Sequence, residues 1–126
     1  MGGNIGQRLI CKPWRSYAED LMEAPKARGI YTIGYNCQYI YVGHSKNIRT
    51  RLQNHKHGKL RVDKFIKGQF SSNGGINLQI KWMKDSQSAC NEGHYLNCIE
   101  KSQGYWPKYN MKIGRASCRE RVCQYV

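Results

Sequence analysis

The stretch Gly29–Gly43, GIYTIGYNCQYIYVG, restricts the fold more than any other part of the chain. Aromatic and β-branched residues dominate both of its ends, and the polar interval GYNCQ divides it. That pattern predicts two short strands, about 29–33 and 39–42, joined as a tight hairpin. With the loop centred on Asn36, antiparallel pairing sets Tyr31 opposite Tyr41 on one face of the sheet. A slip of one residue would separate them. Four phenols, at positions 31, 35, 39 and 41, exceed what a half-buried hairpin needs for packing. Tyr35 and Tyr39 read as surface or sheet-packing aromatics, which leaves Tyr31 and Tyr41 as candidates for chemistry.

The rest of the chain supplies helices and one more strand. SYAEDLMEA predicts a short helix capped by Ser16, with Glu19 in the first turn and Pro25 beyond its end. After the hairpin, HSKNIRTRLQNHKHG predicts a helix capped by Ser45 and ending before Gly58. On a helical wheel Ile48, Arg51, Leu52 and His55 share about 100° of arc, so an arginine and a histidine flank the inward stripe. Residues 59 to 73 read as a second short amphipathic helix leading to the turn SSNGG. INLQIKWMK alternates apolar and polar residues, as a third strand would. A final helix is expected over about 88–101, with Ala89, Glu92, Tyr95, Leu96 and Ile99 facing inward. A carboxylate at the centre of that stripe needs a counter-charge or a cation.

Composition narrows the partners. The 126 residues fit one domain, and the net charge of +13 favours polyanions, nucleic acid before an acidic membrane or protein. Lys46, Arg49, Lys56, Lys59, Arg61 and Lys64, with Lys67 after them, form a run of one sign suited to tracking phosphates. No run of about 18 apolar residues occurs, as a membrane span would need. MGGNIGQRLICKPW lacks the apolar centre of a secretory signal and reads as a loose lead-in. An intracellular protein, cytoplasmic or nuclear, with reduced cysteines is therefore expected. Cys90, His94 and Cys98 fall on one helix face, one ligand short of a structural zinc site. IGRASCRERV, from Ile113, resembles a translated reading frame of a sequencing-library adapter. Setting aside its three arginines and Glu120 lowers the charge only from +13 to +11.

Brought together in a basic cleft, the phenols, Arg51, His55 and Glu92 form a phosphodiester-cleaving set. Glu92 could hold one hard divalent cation through oxygen. Arg51 would meet charge on the phosphorus oxygens, and a tyrosine or His55 would take a proton from the attacking water. A phenol is a poor base at neutral pH unless nearby cations favour its ionised form.

These residues carry a resemblance to the GIY-YIG nuclease family. Its paired tripeptides are matched by Gly29-Ile30-Tyr31 and Tyr41-Val42-Gly43. YVGHSKNIRTRLQNH resembles its second motif, with Arg51 eight residues after Gly43 and His55 four after that. EGHYL, from Glu92, resembles its glutamate motif, and PKYN, Pro107–Asn110, its closing tyrosine-asparagine. Nine residues separate the tripeptides, so the hairpin must be tight. The insert NCIEKSQGYW lengthens the segment before Pro107; Glu100 is a rival carboxylate there, but only Glu92 begins an ExxYL pattern.

The resemblance implies an α/β domain of the α+β type, a small three-stranded antiparallel sheet flanked by helices. It also implies metal-dependent hydrolysis of DNA at a single site. Tyr31 would be a base or base partner supported by Tyr41. Arg51 would contact the scissile phosphate, and Glu92 would be the metal ligand. His55 would either hydrogen-bond the phenol or act as base. The expected cation is Mg2+, with Mn2+ as the alternative. On this reading residues 1–28 are an N-terminal extension with a short helix, 29–112 the nuclease-like domain, and 113–126 a non-native or disordered tail. DNA, branched or sequence-specific, is the expected partner, and a protein partner for targeting is compatible. The alternative is a non-catalytic nucleic-acid-binding module that keeps the fold and the basic face, although such a module has no need of Glu92.

Overall fold

The hairpin is longer and tighter than its apolar pattern suggests. In the computed structural model, which describes residues 5–111, it comprises β2 (Gly29–Tyr35) and β3 (Gln38–Ser45). Only Asn36 and Cys37 form the loop, with φ of 51° and 65°. Positive φ at both central residues matches the right-handed twist of the strands. The turn is tied down from the side: Asn36 N–H donates to Asn77 O at 2.9 Å and Cys37 N–H to Gln79 Oε1 at 2.7 Å.

Pairing departs from the expected register. Near the turn Gly34 faces Tyr39, but Ile33 faces Tyr41 and Tyr31 faces Gly43, with the irregularity between Ile33 and Gly34. Ile40 is the extra residue of a β-bulge. Tyr31 is therefore diagonal to Tyr41 rather than opposite it, and both remain on one face. The bulge also breaks the two-residue alternation, so Tyr39 turns to the other face, where its ring lies 4.7 Å from Trp14.

A third long strand, β4 (Leu78–Lys84), pairs antiparallel with the other side of β2. Two further residues, Arg15–Ser16 (β1), extend its free edge, so the antiparallel sheet has four strands in the order β1-β4-β2-β3. The fourth is too short to leave a periodic signal. Ser16 caps α2 (Tyr17–Asp20), its hydroxyl accepting from Glu19 N–H at 3.1 Å. The segment read as a loose lead-in instead forms α1 (Ile5–Ile10), which buries Leu9. Lys81, buried in β4, fixes the end of α1 by donating to Ile10 O at 2.8 Å and Tyr39 Oη at 2.6 Å. The tail from Ile113, with the reading given to it, lies outside the described residues.

Helices cover both faces of the sheet. On one, α3 (Ile48–His55) and α4 (Arg61–Asn73) join α2 over Tyr17, Tyr31, Ile33, Leu52, Ile66 and Ile80. On the other, α1 and α5 (Ser88–Gln103) enclose Leu9, Ile30, Tyr39, Val42, Tyr95 and Ile99. The cap of α3 is Asn47 rather than Ser45: its side chain accepts from Thr50 N–H at 3.0 Å. Ser45 ends β3 and accepts from Asn47 N–H instead, at 3.0 Å. In α5, Ser88 is buried and Ala89 faces water, so the inward face at the start of the helix is shifted by one residue. Among the described residues no helix is long and apolar enough to cross a membrane.

Candidate active site

Tyr31 points from the central strand towards α3, and its phenol lies against Gly43 of the neighbouring strand. A Cβ at Gly43 would stand 2.4 Å from the Tyr31 hydroxyl oxygen and 2.5 Å from Cζ. The closing glycine of the hairpin thus exists to let that ring lie over the strand. Tyr31 is fully buried, and its hydroxyl is 2.6 Å from His55 Nε2. His55, the last residue of α3, is 1% exposed. Its ring packs edge-on to both tyrosines, with centroids 5.5 Å from Tyr31 and 5.4 Å from Tyr41.

The other ring nitrogen of His55 has a partner that sequence reasoning did not find. Nδ1 pairs with the Asp63 carboxylate, which is buried in the first turn of α4. The second Asp63 oxygen accepts from Leu60 N–H at 3.0 Å. One turn of helix separates Asp63 from its backbone donor, but eight residues and a change of element separate it from His55. The only local signal was an acidic residue near a helix start, an ordinary capping feature.

Arg51 sits one turn before His55 and is half-buried. Its guanidinium faces both phenols. Burial pushes the Tyr31 hydroxyl well above its ordinary pKa, the Tyr41 hydroxyl adds to this, and Arg51 opposes it. Tyr41 is raised in the same way, first by burial and then by the charge of Glu92, again against Arg51. For Arg51, burial favours loss of the proton, but the two phenols outweigh it and the net shift is upward. Burial lowers His55 despite its bond to Asp63. The resting site therefore holds protonated phenols, a neutral imidazole and a guanidinium.

Glu92, in the second turn of α5, lies near enough to Tyr41 for its charge to act on that phenol, although α5 covers the opposite face of the sheet. Burial alone pushes its carboxyl up to about 7. Such a group gains from a cation that would keep it ionised. Among the described residues no three His, Cys, Asp or Glu side chains gather around one point. A single carboxylate suits Mg2+, which keeps several waters and takes further oxygens from a substrate phosphate. The residues present fit such an ion.

Of the basic run, Lys46, Lys59, Arg61 and Lys64 are exposed. Arg61 lies 5.6 Å over the Tyr109 ring, and Lys56 4.6 Å over Phe70. Arg49 is more committed, its Nε donating to Ala24 O at 2.8 Å. Asn110 performs a structural task at the rim. Its side chain accepts from Val42 N–H at 2.8 Å and donates to Val42 O at 2.9 Å, closing the free edge of β3.

No family model matches the chain, and no curated protein does. Among solved structures, the chain is similar to the GIY-YIG N-terminal endonuclease domain of UvrC from Thermotoga maritima bound to magnesium. The identity is 18% and the TM-score 0.48, over 75% of this chain and 96% of that one. An asparagine-to-alanine point mutant of the same domain, bound to its catalytic divalent cation, gives 17% identity and a TM-score of 0.49. That match covers 76% of this chain and 96% of the other.

Proposed function

We propose that the protein is a metal-dependent endonuclease that hydrolyses DNA phosphodiester bonds at one GIY-YIG-type site within residues 29–112. The observation that carries this reading is the meeting of Tyr31, Tyr41, Arg51 and His55 beside Glu92. The Tyr31 ring also packs in the core, but packing alone has no need of its hydroxyl or of the other four polar groups, and together they supply base, charge stabilisation and cation anchor.

Arg51 turns from Tyr31 to the scissile phosphate and meets the negative charge that grows on its oxygens. That movement uncovers the Tyr31 oxygen, which is closed to solvent at rest. Water attacks phosphorus, and its proton passes to the Tyr31 oxygen as the Tyr31 proton passes to His55 Nε2. The new P–O bond forms as the bond to the leaving oxygen breaks, and that oxygen takes up a proton from solvent. Tyr41 holds the Arg51 guanidinium in line. Glu92 would hold a divalent cation, Mg2+ or Mn2+, which when bound polarises the phosphate and lowers the pKa of coordinated water. Lys46, Arg49, Lys56, Lys59, Arg61 and Lys64 would carry the flanking backbone, by charge rather than by sequence. An intracellular setting, cytoplasm or nucleus, goes with this reading.

The test is nicking of supercoiled plasmid with and without Mg2+ or Mn2+, beside Glu92→Ala and Arg51→Ala. Metal-dependent nicking lost in both variants, with folding and DNA binding retained, supports the reading. Tight binding of plasmid and of branched DNA with no cleavage under any metal overturns it in favour of a binding module.

A further inference from the structure

The Asp63 carboxylate is buried, invariably an acceptor when ionised, and has one oxygen on His55 Nδ1 and the other on a backbone N–H. Space for it is made by Gly58, in the loop between α3 and α4. A Cβ at Gly58 would lie 2.0 Å from Asp63 Oδ2 and 2.8 Å from Cγ. The loop that follows the histidine is thus shaped around this carboxylate. An acceptor facing Nδ1 requires the ring proton to sit on Nδ1, which leaves the Nε2 lone pair pointing at the Tyr31 hydroxyl. The α4 N-terminus adds a favourable dipole for the negative charge.

We propose that Asp63 is a positioning residue: it fixes His55 in the Nδ1–H tautomer, so that Nε2 is the acceptor for the Tyr31 proton, and Gly58 provides the room it occupies. When His55 takes that proton it becomes an imidazolium with Asp63 as its counter-charge. The electron pair of the former O–H bond stays on the phenol oxygen, which gains the proton of the attacking water. The consequence for rate rests on the nuclease reading, whereas the tautomer can be read without any cleavage.

The experiment is ring-nitrogen NMR on the full chain labelled with 15N-histidine, with the His55 signals assigned by their loss in His55→Gln. In the wild type, Nδ1 carries the proton and Nε2 is a hydrogen-bonded acceptor. Asp63→Asn inverts this. Its carbonyl oxygen stays on Leu60 N–H, its NH2 faces Nδ1, and the ring proton moves to Nε2, which then donates to the Tyr31 oxygen. Plasmid nicking by Asp63→Asn should fall in kcat by about 10²–10⁴-fold, the range for losing a positioned proton acceptor, with KM unchanged. Gly58→Ala, which keeps every reacting group, should weaken the Nδ1–H bond and lower kcat in the same direction. A wild-type spectrum with the proton on Nε2 overturns the proposal without any variant, as does a folded Asp63→Asn that keeps Nδ1–H. If the wild type shows the assigned tautomer and Asp63→Asn inverts it, but no DNA is cut, the nuclease reading fails and the role of Asp63 in fixing the ring stands.

Discussion

Adding one methyl group at Gly43 should uncouple the site from the fold. The new Cβ would meet the Tyr31 oxygen at 2.4 Å, about 1 Å inside ordinary van der Waals contact. The backbone of β3 is held between β2 and Asn110, so the phenol must give way. A displacement of ~1 Å in any direction spoils the length or angle of its 2.6 Å bond to His55 Nε2. Overpacking of this kind costs about 1–3 kcal/mol, and a misplacement of ~1 Å at a reacting group costs about 10²-fold in rate. Gly34→Ala is the matched control. Its Cβ would meet the Trp14 ring at 2.6 Å, a similar insult on the opposite face of the same hairpin. Thermal melting and plasmid nicking should be measured on both variants. Each should melt lower, but only Gly43→Ala should lose cleavage by about 10²-fold or more. Equal losses of cleavage in the two variants, or full activity in Gly43→Ala, would refute the argument that Gly43 serves the Tyr31 phenol.

Glu92 should make the metal-free protein pH-sensitive. Its folded pKa lies above the unfolded one, so the native state binds the extra proton; stability is highest below about 4.5 and falls as pH rises to about 7. The integrated loss is on the order of 3 kcal/mol, so Glu92→Gln should melt higher than the wild type at pH 8 and the gap should close near pH 4.5. An unchanged gap across that range, read by calorimetry without metal, counts against the buried carboxyl. Asn110→Ala removes two bonds to Val42 and should cost about 2 kcal/mol, lowering Tm by roughly 10 °C. Gly68→Ala lies mid-helix in α4 with nothing within 4 Å of the added carbon. It should raise stability by about 0.5–1 kcal/mol, without altering cleavage.

The hairpin and the main helices were legible because their signals are local. Aromatic and β-branched runs around YNCQ, the wheel of α3 and the alternation in LQIKW each report a neighbourhood of a few residues. Arg51, His55 and Glu92 stood out on the same terms, as polar groups at positions whose periodicity points inward, and Tyr31 and Tyr41 stood out as phenols beyond what the hairpin needs for packing. The strand register was not legible. One extra residue at Ile40 changes which face Tyr39 takes, and a bulge is set by packing on both faces at once: Trp14 and Lys81 on one side, Tyr31 and His55 on the other. α1 was missed for a related reason. Six residues with a single buried leucine carry too little periodicity, and only docking against α5 and Lys81 gives the helix its stability.

By itself, then, the sequence determined the antiparallel hairpin with its closing glycines, the helices that follow and the inward placement of Arg51, His55 and Glu92. Each follows from the spacing of residues within one element. What only the tertiary structure decided is the set of partners: Tyr31 against Gly43, Arg51 between two phenols, and His55 joined to Asp63 in the hollow beside Gly58. A buried polar group must be satisfied, but the sequence does not say by which residue. That choice is made when separate elements pack, and here it sets which nitrogen of His55 is left to receive a proton.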